Sequence, residues 1–158
     1  MKRIAILLAG ITNAAFICPA SAFMFADGTT AQCVAGGRVV VETFAQLGDP
    51  ALENRLARTT RVGNSWQIAW NQERLKLLAP EVRDFLFFHE CAHARVPTEN
   101  EREANCAGLK DMRAAGRAGP AYEKKLRANF PENNAYWNDT FKCANDGATP
   151  APATKPAN

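Results

Sequence analysis

The chain contains only two histidines, and both lie in one short run, His89-Glu90-Cys91-Ala92-His93. On a helix, residues four apart share a face, so the two imidazoles can converge on one metal ion. Glu90, about 100° round the same helix, can reach a water held by that ion. This is the mechanical content of HExxH. A catalytic zinc ion takes three protein ligands and keeps a fourth position open. With no histidine left, the third ligand has to be a carboxylate or a cysteine. The next predicted helix offers Glu99, Glu101 and Glu103.

Helical projection separates these three. Glu101 shares a face with Ala104, Asn105, Gly108, Leu109 and Met112, the small and apolar side that should pack inward. Glu99 and Glu103 fall with Arg102 and Lys110 on the polar side. Glu101 is therefore the expected ligand, with Glu103 as the alternative. Glu101 also stands three residues after Thr98, where it would complete a capping box. That role would turn its carboxylate back toward its own helix start instead of across to the histidines. Gly108 and Ala104 are small enough to let the two helices approach closely, as a shared metal requires.

His89-Glu-Cys-Ala-His93 followed by Glu101-Arg-Glu-Ala-Asn105 resembles the gluzincin metallopeptidases, in which HExxH precedes an ExxAD or ExxAN segment. The short form is most similar to compact peptidases of the ImmA/IrrE type and to the minimal catalytic units of the Ste24-like peptidases. The resemblance spans about residues 64 to 112 and implies a small zincin-like α+β domain, mainly helical, with a small β-sheet ahead of the HExxH helix. It further implies a Zn2+ cofactor on His89, His93 and Glu101, Glu90 as catalytic base, and a peptide or protein substrate. Asn105 stands where relatives carry an aspartate that supports a ligand, and an amide can also hydrogen-bond there. Two features depart from the pattern. Only seven residues separate His93 from Glu101, and Arg95 occupies a position that is usually apolar.

The elements that must position these residues can be read around them. Arg38–Phe44 and Asn64–Trp70 read as strands, the second by the alternation of Trp66, Ile68 and Trp70. A short helix is expected over Ala51–Arg58. Pro80, in a first-turn position, opens a helix running to about Ala94 with Glu81 and Asp84 near its positive end. Val96-Pro97 ends it. A second helix should run from Thr98 to about Ala115, followed by helical stretches over Ala121–Phe130 and Glu132–Cys143.

Met1-Lys-Arg3, the apolar run to Ile17 and the small residues Ala20-Ser-Ala22 have the form of a signal peptide covering residues 1–22. The run is short for a membrane span and is interrupted by Gly10 and Asn13, so no stable anchor is expected. Cys18 lacks the small preceding residue of a lipidated cysteine. Removing 22 of 158 residues leaves 136, one domain's worth over residues 23–147, with an Ala/Pro-rich tail over 148–158. Lys2 and Arg3 leave with the leader, so the formal charge falls from +3 to +1. That balance gives no reason to expect nucleic acid as a partner.

Cys33, Cys91, Cys106 and Cys143 remain, an even number that fits two disulfides in a periplasmic or secreted protein. Cys91 lies about 200° from His89 round the helix and Cys106 lies off the Glu101 face. This leads to the expected pairing Cys91–Cys106 behind the metal and Cys33–Cys143 across the ends. Tyr122, Tyr136 and Arg95 are candidates to stabilise an oxyanion, and the Trp66–Trp70 strand to pair with an extended substrate. The function expected is zinc-dependent peptide hydrolysis. The other reading is a non-catalytic, zinc- and disulfide-stabilised module that binds another exported protein.

Overall fold

The computed structural model describes residues 22–45, 52, 54–130 and 134–146. The leader and the Ala/Pro-rich tail lie outside them, as do most of the residues expected to form the 51–58 helix. The architecture is α+β and mainly helical. Two small two-stranded pairs come first, β1 (Phe23–Met24) with β2 (Thr30–Ala31) and β3 (Val34–Ala35) with β4 (Arg38–Val39). A three-stranded sheet follows, made of β5 (Val41–Ala45), β6 (Ala57–Val62) and β7 (Ser65–Asn71). Its order is β5-β7-β6, with β7 parallel to β5 and antiparallel to β6. The helices are α1 (Gln72–Leu75), α2 (Pro80–Arg95), α3 (Glu101–Ala114), α4 (Pro120–Ala128) and α5 (Ala135–Asn145).

The expected 38–44 strand is broken at Val40 into β4 and β5. Ala57 and Arg58 open a strand where a helix end was expected. β6 turns into β7 through Gly63-Asn64, with Gly63 at φ 59°, a conformation that suits a tight hairpin and that glycine adopts freely. Because β7 is central, both its edges are already paired. The expectation that the Trp66–Trp70 strand would receive a substrate is therefore corrected: among the described residues, β6 carries the open edge beside the cleft.

The core lies between this sheet and α2. Phe23, Phe25, Trp70, Phe87 and Phe88 form a continuous aromatic cluster, with Phe23 4.8 Å from Trp70 and 5.2 Å from Phe87 between ring centroids. The apolar Phe85–Phe88 stretch is buried because α2 meets the sheet on one side and α3 on the other. The amino-terminal segment is fixed to α2 by polar groups as well. The Ala26 N–H donates to buried Asp84 at 2.8 Å, and Arg117 lies 3.8 Å over the Phe25 ring while pairing with Asp27.

The disulfides are Cys33–Cys91 and Cys106–Cys143, which overturns the expected Cys91–Cys106 and Cys33–Cys143 pairing. The physical reason is angular. A Cβ placed on Gly108 would meet the backbone of Phe88 and His89, so α3 rests on the His89 side of α2. Cys91, about 200° round from His89, faces away from α3 and toward β3 and the residues beside it. The direction that removes Cys91 from a metal site also removes it from α3. Cys106, off the Glu101 face, turns to α5 instead.

Candidate metal centre

Two consecutive helices and the five residues between them build the site. α2 carries His89 and His93 one turn apart, and the chain reverses through Val96-Pro97. The His93 Nδ1 lies 2.7 Å from the Thr98 carbonyl oxygen. A carbonyl only accepts, so Nδ1 carries the proton and Nε2 keeps its lone pair for another partner.

Asn100, not Thr98, is the N-cap of α3. Its side-chain oxygen accepts from the N–H groups of Arg102 at 2.9 Å and Glu103 at 3.4 Å. The Thr98 hydroxyl accepts from the Asn100 N–H and donates to Glu103 at 2.5 Å. Glu103, the alternative ligand, is thereby occupied in the cap. Glu101 becomes the first residue of the helix, free of any capping role and next to the positive end of its dipole.

The Glu101 carboxylate crosses to the histidines. Its Oε2 lies 3.1 Å from His89 Nε2 and 3.6 Å from His93 Nε2, and the two Nε2 atoms are 3.2 Å apart. These three residues form the one grouping of metal-ligating side chains found among the described residues. Burial opposes a charge on His89, but Glu101, with Glu90 and Asn105, outweighs it and holds the imidazole above its ordinary value. His89 in turn holds the Glu101 carboxyl below the usual carboxylate range. The cluster thus sets a carboxylate favoured in its charged form against the His89 imidazole, which that carboxylate biases toward holding a proton.

No protein-family model, curated protein or solved structure matches the chain. The donor set itself has to be weighed against the ions it fits. A tetrahedral zinc with bonds of ~2.0–2.1 Å holds its ligands ~3.3–3.4 Å apart. The three separations here, 3.1, 3.2 and 3.6 Å, bracket that edge length. Two imidazole nitrogens and one carboxylate oxygen are zinc donors by type. Glu101 is 61% exposed, so the site opens to solvent on its side.

Glu90 is buried on the adjoining face of α2. The Thr59 hydroxyl lies 2.6 Å from Glu90 Oε2 and 3.0 Å from the Glu90 carbonyl oxygen. β6 therefore fixes the carboxylate from the sheet side. A cleft of about 670 Å³ runs between β6 and the α2–α3 connection, lined among others by Thr59, Trp66, Glu90, His93 and Glu101.

The remaining candidates separate clearly. Asn105 is buried on α3 one turn after Glu101, beside the His89 imidazole and the Tyr136 phenol. Burial, with Glu101 nearby, pushes the Tyr136 phenol up, leaving it a protonated donor at the edge of the site. Tyr122 instead donates to the Glu81 carbonyl near the start of α2. Arg95 pairs with buried Asp111 between α2 and α3, which accounts for a charge at a position expected to be apolar. Thr59 was missed by sequence reasoning, because Ala57–Val62 has no apolar alternation to mark a strand. The Gly63-Asn64 turn ahead of the clear β7 pattern was the available signal.

Proposed function

We propose that the chain is a zinc-dependent peptide hydrolase of gluzincin type that works in an oxidising compartment outside the cytoplasm. The observation that carries this reading is the triangle of His89 Nε2, His93 Nε2 and Glu101 Oε2, whose edges match a tetrahedral zinc. Zinc bound there supplies a Lewis acid and brings the pKa of its water down to ~7. His93 is held for the role by Thr98 and His89 by its burial against α3. Glu90 takes and returns the proton through its carboxylate, which the Thr59 hydroxyl holds in place at Oε2. The open edge of β6 offers backbone groups to an extended peptide running through the cleft. Tyr136, whose phenol the Glu101 charge helps keep protonated, is the candidate donor for a developing oxyanion. Two disulfides fit a periplasmic or secreted location.

The competing reading, a zinc- and disulfide-held module that binds another exported protein, has no use for a general base or an open side. Glu90→Gln separates the two. The proposal expects that variant to retain zinc while losing chelator-sensitive cleavage of an unfolded-protein or peptide library, by a factor of at least ~100. A wild-type chain that holds zinc yet cleaves nothing the variant spares returns the function to the binding module.

A further inference from the structure

Three arginines line the cleft around the candidate metal centre. Arg58 and Arg61 lie on β6, and Arg55 lies just before it. All three are exposed, and none has an ion pair or side-chain hydrogen bond among the described residues. This is unusual within the molecule. Five other arginines are committed to carboxylates, Arg74 donates to Asn54, and Arg127 lies 3.6 Å over the Phe141 ring. Outside the cleft only Arg38, among the described arginines, lacks a side-chain partner.

The carboxylates sharing the cleft do not neutralise these charges. Glu101 faces the two imidazoles and Glu90 is held by Thr59. Among the described residues of the lining, Glu99 is the one acidic side chain left over. A bound divalent ion would add to the positive field. Yet the chain as a whole is nearly balanced, with 19 basic and 16 acidic residues. A surplus of positive charge lining this cleft, beside a strand edge left unpaired among the described residues, selects what enters it.

We propose that this cleft takes acidic peptides, with Asp or Glu side chains of an extended segment reaching Arg58 and Arg61 from the β6 edge and Arg55 beyond them. The inference rests on the reading of the cleft as a peptide site. Each guanidinium is planar and always charged, and offers a fork suited to a carboxylate. The arginines set which peptide is held, and the chemistry remains with the metal centre.

The test uses fluorescein-labelled ten-residue peptides carrying Glu, Gln or Lys at alternate positions. Anisotropy titrations use the zinc-loaded Glu90→Gln chain and the wild-type chain stripped with a chelator. The Glu peptide should bind about tenfold more tightly than the Gln peptide at low salt, with the Lys peptide weakest. The preference should collapse near 0.5 M salt, as expected for exposed charges at a Debye length of roughly 4 Å. It should also collapse in the doubly substituted Arg58→Gln, Arg61→Gln chain, whose exposed positions leave the fold intact. Equal affinity for the Glu and Gln peptides overturns the inference, as does a preference that survives the double substitution. Tighter binding of a single-stranded oligonucleotide of the same charge also overturns it. These outcomes are distinct from failure of the hydrolase reading, which shows as absent zinc or absent cleavage of every peptide. Cleavage of the Glu and Gln peptides with equal kcat/KM removes the acidic preference and leaves the hydrolase standing.

Discussion

Gly108→Ala is the sharpest perturbation of how the site is assembled. A Cβ at this position would lie 2.9 Å from the His89 backbone nitrogen and 2.9 Å from the Phe88 carbonyl carbon. Ordinary contact begins at 3.4 Å, so restoring it requires α3 to retreat from α2 by 3.4 − 2.9 = 0.5 Å. No flexible side chain can yield, since both contacts are helix backbone. Overpacking of this kind costs ~1–3 kcal/mol, against ~1 kcal/mol gained from replacing a helical glycine by alanine. The net loss is about 1 kcal/mol, or a fall in Tm of roughly 3–5 °C for a domain of this size. The metal centre should suffer more than stability. Glu101 rides on α3 and both histidines on α2, while metal–ligand distances hold to within about 0.2 Å. Zinc affinity should therefore fall at least about tenfold. Thermal melts in chelator measure the first quantity and competition with a chromophoric chelator measures the second. A variant that melts higher, as helix propensity alone dictates, and binds zinc as tightly as the wild type would refute the close-approach argument.

Other consequences follow from the same structure. Burial pushes the Glu42 carboxyl up to about 7 from an ordinary 4.5, against hydrogen bonds from the Trp70 indole and the Cys33 N–H. Its folded pKa is raised, so its contribution to stability is fully present below about pH 4.5 and is lost as pH rises through about 7, by up to ~3 kcal/mol. Glu42→Gln should flatten that segment of the stability profile in denaturant titrations, and a profile unchanged by the substitution would contradict it. The disulfides close separations of 58 and 37 residues. Chain entropy assigns each about 4 kcal/mol, so Cys33→Ser with Cys91→Ser should melt far below the wild type. Non-reduced peptide mapping should recover Cys33–Cys91 and Cys106–Cys143, and a Cys91–Cys106 peptide would refute the arrangement of α2 and α3. Thr59→Val should lower kcat about tenfold with little change in zinc content, while Thr59→Ser restores it. A fall confined to KM would remove Thr59 from the positioning of Glu90.

Much of the site was legible because its residues obey helical geometry. His89, His93 and the inward face of α3 follow from spacing alone, and Gly108 stands where close approach demands it. Other features depend on what lies across a gap. Thr98 to Glu101 and Asn100 to Glu103 have the same spacing, so either pair could form the N-cap of α3, and only the turn after His93 chooses Asn100. Cys91 pointed away from the metal by its own angle, but its partner depended on which face of α2 received α3. Thr59, Arg58 and Arg61 sit on a strand that carries polar residues on both faces. That strand is defined by its pairing with Ile68 and its neighbours, not by its own pattern.

The central claim is that His89, His93 and Glu101 hold one zinc ion, and zinc content measured by elemental analysis tests it most directly. The chain refolded with its disulfides intact and dialysed against trace zinc should carry one ion per molecule. Glu90→Gln should carry the same, and His93→Ala and Glu101→Ala should each lose it while keeping the fold. A wild-type chain without zinc, or a Glu101→Ala chain that binds it as fully as the wild type, would contradict the account.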